Sequence, residues 1–136
     1  MGRILSIDYG LKRTGLAVTD PLQIIASALE TVESTQLLLY LTNYFRKENV
    51  DAIVIGMPKN LKNLDTDMTQ PVRDLIVQLK KTFPDKPIHE IDERFTSSIA
   101  KQTMIDSGMK KKDRRVKGNV DKISATIILQ DFMSKR

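Results

Sequence analysis

The order of hydrophobic patterns along the chain constrains its fold more than any other feature. The first part of the sequence holds three short apolar segments, and the turns between them are short enough for hairpins. The rest of the chain alternates between the periodicity of amphipathic helices and that of buried strands. The pattern predicts strands over residues 3–8, 15–20 and 23–32, a helix over 34–50, a strand over 51–58, a helix over about 72–83, a strand over 85–92, and helices over 96–108 and 119–133.

Three consecutive strands followed by this alternation are compatible with few topologies. We expect an antiparallel meander extended by two strands that arrive through helical crossovers, which gives an α/β fold with a mixed five-stranded sheet. This order favours an RNase H-like architecture. Since the 136 residues contain no repeat and no linker, we expect a single domain over residues 1–136. Ser34 and Asn119 are the predicted N-caps of the first and last helices.

Composition excludes several kinds of site. The chain has no cysteine and one histidine, His89, which excludes a disulfide framework, a thiolate metal site and a multi-histidine zinc site. Neither a signal-peptide pattern nor a run of about 18 apolar residues occurs. We therefore expect a cytoplasmic protein that does not associate with membranes.

The positive charge is concentrated in the second half of the chain. Residues 69–136 hold 15 Lys and Arg against 9 Asp and Glu, whereas residues 1–68 hold 7 against 8. A dense basic run is typical of a segment that binds a polyanion such as nucleic acid, although a solvated loop has the same composition. The run spans residues 110–117 and contributes Lys110, Lys111, Lys112, Arg114, Arg115 and Lys117.

Four carboxylates are predicted at the ends of strands or the start of a helix. Asp8 ends the first strand, Asp92 and Glu93 end the last, and Asp121 opens the final helix. Each has a purely structural alternative: an Asx-turn for Asp8, solvation or an ion pair with Arg94 for Asp92 and Glu93, and interaction with the helix dipole for Asp121. An acid that ends a buried strand needs a partner, however, so Asp8 fits the structural alternative least well.

Carboxylates that converge from strand ends would form an all-oxygen site of the kind that Mg²⁺ or Mn²⁺ prefers. Such ions activate water and stabilise the leaving oxygen when a phosphodiester is hydrolysed. Cations are then needed to compensate the repulsion between these acids and a phosphate backbone. Lys12 and Arg13, which follow Asp8, and the basic run are candidates.

Four blocks of the sequence resemble the signature motifs of the YqgF family, also called RuvX. They are IDYGLKRTGLAVTD, IVIGMP, IDERFTSSIA and NVDKISATIILQ, in the family's order and at family-like spacing over nearly the whole chain. The resemblance implies an RNase H-like fold and a metal-dependent nuclease, described in the family both as a Holliday junction resolvase and as a nuclease that matures the 5′ end of pre-16S rRNA. It assigns the catalytic, metal-binding acids to Asp8, Glu93 and Asp121, and prefers Glu93 to Asp92 and Glu90.

The sequence departs from the family pattern after the second block, where residues 59–68 read KNLKNLDTDM without the usual glycine, and at Phe95, where an aliphatic residue is common. The predicted partner is nucleic acid, either structured RNA such as pre-16S rRNA or branched DNA. Its predicted contacts are Lys12, Arg13, Arg94 and the six cations of the basic run. We expect a monomer or a weak homodimer. Two further alternatives are a nucleotide-dependent kinase or ATPase, for which the chain lacks a second domain, and a non-catalytic nucleic-acid-binding protein.

Overall fold

Three antiparallel strands open the fold. A computed structural model describes residues 2–58, 67–92 and 117–135, with the side chains of 117–121 left out. In it, strand β1 (Arg3–Asp8) pairs with β2 (Arg13–Thr19), and β2 pairs with β3 (Ala26–Glu33). The predicted meander is therefore confirmed.

Helices and parallel strands complete the sheet. A single 3-10 turn leads from β3 into helix α1, and helix α2 lies between strands β4 and β5. Strand β4 is parallel to β1 and β5 is parallel to β4, so the sheet has the order β3-β2-β1-β4-β5. This is the mixed five-stranded sheet that the sequence predicts. The remaining elements are α1 (Leu37–Lys47), β4 (Val50–Met57), α2 (Thr69–Thr82), β5 (Ile88–Asp92) and α3 (Lys117–Lys135).

The two faces of the sheet carry separate cores, because alternate residues of a strand point to opposite faces. Leu5 and Ile7 of β1 pack with the apolar stripes of α1 and α2, whereas Ile4 packs with α3. The apolar stripe of α1 belongs to the first core, with Leu37 and Leu41 buried and Leu38, Tyr44 and Phe45 partly buried against it. The second core contains Ala17, Val54, Ala125, Ile128 and Leu129.

Several predicted boundaries are wrong by a few residues. The third strand begins at Ala26 rather than residue 23, because residues 20–25 form a loop whose N–H groups bond to the Asp20 carboxylate. Helix α2 starts at Thr69, before the predicted start near residue 72. Neither predicted N-cap is correct, since Ser34 begins the 3-10 turn and makes no cap, and Asn119 lies inside α3.

The predicted helix over 96–108 and the basic run over 110–116 lie outside the described residues. None of the helices in the described ranges is long and apolar enough to cross a membrane.

Candidate active site at the carboxyl edge of the sheet

Asp8 lies at the edge of the sheet where the parallel strands end. It is the last residue of β1, is partly buried and is paired with Gly15 of β2. Because β1, β4 and β5 are parallel, their carboxyl ends share this edge, the usual location of ligand sites in open α/β sheets. Asp8 is two residues after Ser6, so its side chain is on the face of the sheet that α3 covers.

A buried hydrogen bond joins that face of β1 to α3. The hydroxyl of Ser6 donates to the carbonyl oxygen of Ala125 over 2.6 Å, and both residues are fully buried. This contact links residues that are 119 positions apart in the sequence. It fixes which turn of α3 lies over the centre of the sheet.

Helix α3 runs antiparallel to β1. Near its end, Met133 lines a shallow groove with Ile24 and Ile25 of the loop that follows β2. That loop lies at the amino-terminal end of β1, where the N–H of Ile4 donates to the Thr19 hydroxyl over 2.9 Å. The beginning of α3 is therefore directed toward the end of β1 that carries Asp8.

Strand β5 brings alternating residues to the same face. Gly56 of β4 pairs with Ile91, which packs in the α3 core, while Met57 pairs with Asp92 and belongs to the opposite core. Since Ile7 pairs with Ile55, Asp8 is level with Gly56 and Ile91. Asp92 is exposed and lies on the other face of the sheet from Asp8.

Several predicted site residues are not among the described side chains. Glu93, Arg94 and the cations at 110–115 lie outside the described residues, and the side chains of Lys117 and Asp121 are not described. Among the side chains that are described, no group of three acids or histidines converges on a possible metal position. His89 is exposed in β5, with its ring centroid 4.9 Å from that of Phe132.

The turn between β1 and β2 presents both predicted cations to solvent. Lys12 and Arg13 are exposed, and the backbone around them is anchored by Ser34. The N–H of Ser34 donates to the carbonyl of Lys12 over 2.9 Å, and its hydroxyl donates to the carbonyl of Gly10. The same hydroxyl is 2.8 Å from the buried hydroxyl of Thr14. The turn is thus held at three points by one residue, through its N–H group once and its hydroxyl twice.

Gly10 is required by the close approach of the chain to itself in this turn. A Cβ atom at Gly10 would lie 2.4 Å from the carbonyl oxygen of Arg13, which is far inside van der Waals contact. Any side chain at this position would have to displace backbone rather than a flexible side chain. The turn therefore has a fixed shape beside Asp8.

Sequence reasoning missed the two serines that position this edge. The sequence pattern assigns Ser6 only to a buried strand and predicts Ser34 as a helix cap. Both side chains bond to groups distant in sequence. The available signal for Ser6 was a small polar residue at a buried strand position, where a hydroxyl requires a partner.

The chain is similar to a large set of curated relatives over its whole length. The family model described as RuvX, Holliday junction resolvase, matches residues 2–135. A protein of Amoebophilus asiaticus, named as a candidate pre-16S rRNA nuclease, is 53% identical over 134 residues, which cover 98% of this chain and 95% of the relative. A protein of Flavobacterium psychrophilum with the same name is 50% identical over 136 residues, covering 100% and 99%.

The fold is similar to that of RuvC, a protein of known structure. The structure of Thermus thermophilus RuvC in complex with a Holliday junction substrate superimposes with a TM-score of 0.59, covering 99% of this chain and 96% of RuvC. The sequence identity is 13%, so this likeness concerns the fold alone. It confirms the RNase H-like architecture that the order of elements predicts.

Proposed function

Since this chain belongs to the RuvX family, we propose that it is a metal-dependent endonuclease that hydrolyses phosphodiester bonds during maturation of the 5′ end of pre-16S rRNA. The observation that carries this proposal is the position of Asp8. A partly buried carboxylate ends the central strand on the face that α3 covers, at the edge where three parallel strands finish. The names of the curated relatives support the choice of substrate.

We propose Asp121 as a second catalytic acid. Moving from Ser6 to Asp8 advances about 6.6 Å along β1. Moving back from Ala125 to position 121 covers four residues of α3, or about 6 Å. Because the helix and strand are antiparallel and are joined at Ser6 and Ala125, this spacing supports a location for position 121 close to Asp8.

Glu93 is the proposed third acid. It is the next residue after Asp92 and is two residues after Ile91, whose side chain packs in the core beneath α3. The alternation along β5 places Ile91 on the same face as Asp8, and Glu93 follows Ile91 at the spacing of that alternation in the sequence. The same alternation argues against Asp92, which is paired with Met57 on the opposite face.

The donor set suits a hard divalent cation. Asp8, Glu93 and Asp121 offer only carboxylate oxygens, the ligands that Mg²⁺ and Mn²⁺ prefer. The buried hydroxyl of Ser124 has no hydrogen-bond partner in the structure as described, and it lies three residues after position 121. An unpaired buried oxygen at this turn of α3 fits a site whose polar environment is completed by an ion and its water ligands. When bound, the cation would supply Lewis-acid activation of water and of the phosphoryl oxygens.

The protein's own residues would orient and hold the substrate. The fixed turn that Ser34 anchors would present Lys12 and Arg13 to the phosphates next to the cleaved bond. Further phosphate contacts are proposed for Arg94, Lys110, Lys111, Lys112, Arg114, Arg115 and Lys117. Neutralisation of several phosphates by these cations implies binding that weakens steeply with salt.

Resolution of Holliday junctions is the second candidate function, because the matching family model carries that description and the fold resembles that of RuvC. Symmetric cutting of two strands requires two active sites and hence a two-fold dimer. The oligomeric state at the concentration of the assay separates the two candidates. A strictly monomeric active enzyme would favour the rRNA function.

The test is cleavage of a pre-16S 5′ fragment and of a four-way DNA junction, with Mg²⁺ or with EDTA. We expect the wild-type protein to cut the RNA only with the metal, and Asp8→Asn, Glu93→Gln and Asp121→Asn each to abolish cutting while circular dichroism stays native. Asp92→Asn is the matched control and should cut normally. Cleavage that survives all three substitutions would refute the assignment.

A further inference from the structure

The tip of the turn between β1 and β2 is a leucine held in solvent. Leu11 is 67% exposed, although it follows Asp8 by only three residues. Its neighbours Lys12 and Arg13 are exposed cations. Leu11 lies between two anchored carbonyl groups and is followed by two cations. Binding of phosphates would need the cations but not an exposed leucine beside them.

The exposure of Leu11 results from a fixed backbone. The carbonyl groups of Gly10 and Lys12, on either side of Leu11, both accept hydrogen bonds from Ser34. Gly10 has no room for a side chain against the Arg13 carbonyl, which further restricts the turn. Since the backbone on both sides is anchored, Leu11 cannot fold back onto the sheet without breaking these contacts.

We propose that Leu11 is a wedge that inserts between stacked bases and makes the enzyme specific for the end of a nucleic-acid helix, where paired RNA meets a single strand. The inference rests on the proposed nuclease function and names the residue that would recognise the shape of the substrate. Proteins that bind the minor groove of DNA insert apolar side chains, leucine among them, between base steps and partly unstack them. Lys12 and Arg13, which follow Leu11, would hold the neighbouring phosphates. Unstacking costs least for a base that is mismatched or already single-stranded, which favours the junction between a helix and a single strand.

The short chain distance between Leu11 and Asp8 limits how far the opened base step can lie from the cleaved bond. Three residues of extended chain span at most about 11 Å. The base step opened by Leu11 would therefore lie within a few base pairs of the bond that the Asp8 edge would cut.

The first measurement uses the fluorescence of 2-aminopurine, placed at the last base pair of an RNA hairpin that carries a 5′ single-stranded extension. Binding is recorded in the Asp8→Asn background with Mg²⁺, so that the RNA is not cut. We expect fluorescence to rise with Leu11 or Leu11→Phe, and not with Leu11→Ala or Leu11→Lys. The lysine variant distinguishes a wedge from a phosphate contact, because a contact surface would bind the RNA more tightly with an added cation.

The second measurement is kcat/KM on the same hairpin with an otherwise wild-type protein. Leu11→Ala should lower it by about tenfold, as expected when the opening of one base step is no longer assisted. The matched control is Leu39→Ala, which removes a leucine that is 60% exposed on α1, the helix packed on the opposite face of the sheet, and should have no effect.

Fluorescence that still rises with Leu11→Ala, or activity lost equally with Leu39→Ala, would overturn the wedge. Failure of the nuclease function has a different signature. In that case wild-type protein cuts neither RNA nor DNA, whereas the Leu11-dependent fluorescence change is still present.

Discussion

Removal of the Ser6 hydroxyl should loosen α3 from the sheet. Ser6→Ala deletes one buried hydrogen bond of 2.6 Å to the Ala125 carbonyl and adds no atoms, so no clash is introduced. The Ala125 carbonyl keeps its bond within the helix, so the loss is that of one net hydrogen bond, about 1 kcal/mol. For a chain of this length the melting temperature should fall by about 4 °C.

Urea unfolding followed by circular dichroism measures this change. With an m value of about 2 kcal/mol/M, the midpoint should fall by about 0.5 M while m stays constant. Ser27→Ala, which removes an exposed hydroxyl from β3, is the matched control and should change stability by less than about 0.5 kcal/mol. A Ser6→Ala midpoint equal to wild type would refute the claim that this bond holds α3 in place.

A larger side chain at the same position links this packing to activity. Ser6→Leu overfills a fully buried position between β1 and α3 and should cost about 1–3 kcal/mol. Because misplacement of reacting groups by about 1 Å lowers rates by about 100-fold, cleavage should fall by that factor while the protein is still folded at 25 °C. Activity equal to wild type in a folded Ser6→Leu protein would show that the position of α3 does not control the site.

Three further changes test other parts of the fold. Gly10→Ala forces the turn away from the Arg13 carbonyl and should lower kcat/KM for cleavage in a protein that is still folded at the assay temperature. A normal kcat/KM would contradict a fixed turn. The pKa of Asp20 is held below its usual range by hydrogen bonds from backbone N–H groups, of which that of Ile25 has the largest effect. The ionised Asp20 therefore stabilises the folded protein above about pH 4, and this stabilisation is lost as the pH falls through the folded pKa. Asp20→Asn should therefore melt at a lower temperature than wild type at pH 7, with a difference that shrinks below pH 4; a difference independent of pH would exclude this cause. Leu129→Ala opens a cavity beneath α3 and should cost about 2–5 kcal/mol in urea unfolding, whereas a cost below 1 kcal/mol would mean that this core is loosely packed.

The elements of the fold were predictable because their signals are local. The apolar run before Asp8 indicates a strand buried on both faces, the helical spacing of Leu37 and Leu41 indicates a helix buried on one, and both predictions are confirmed. The same kind of apolar pattern predicts a strand over Ile24 and Ile25, and that prediction is wrong. They are apolar but 65% and 64% exposed, since the Asp20 carboxylate ties their N–H groups into a loop.

The positioning contacts were not predictable from local patterns. The partners of Ser34 are 24 residues away at Gly10 and 20 away at Thr14, and the partner of Ser6 is 119 residues away. A serine at the end of a strand has the same sequence signature whether it caps the next helix or bonds across a turn. The pairing of the strands and the packing of α3 on the sheet bring these residues together.

The central claim is that Asp8, Glu93 and Asp121 bind one divalent cation at the carboxyl edge of the sheet. The most direct test is titration with Mn²⁺, with the free ion measured by electron paramagnetic resonance. Asp8→Asn, Glu93→Gln and Asp121→Asn should each weaken Mn²⁺ binding by about tenfold or more, whereas Asp92→Asn, on the opposite face of the sheet, should change it by less than twofold. Binding that is unaffected by Asp8→Asn, or weakened as strongly by Asp92→Asn as by Glu93→Gln, would contradict the proposed site.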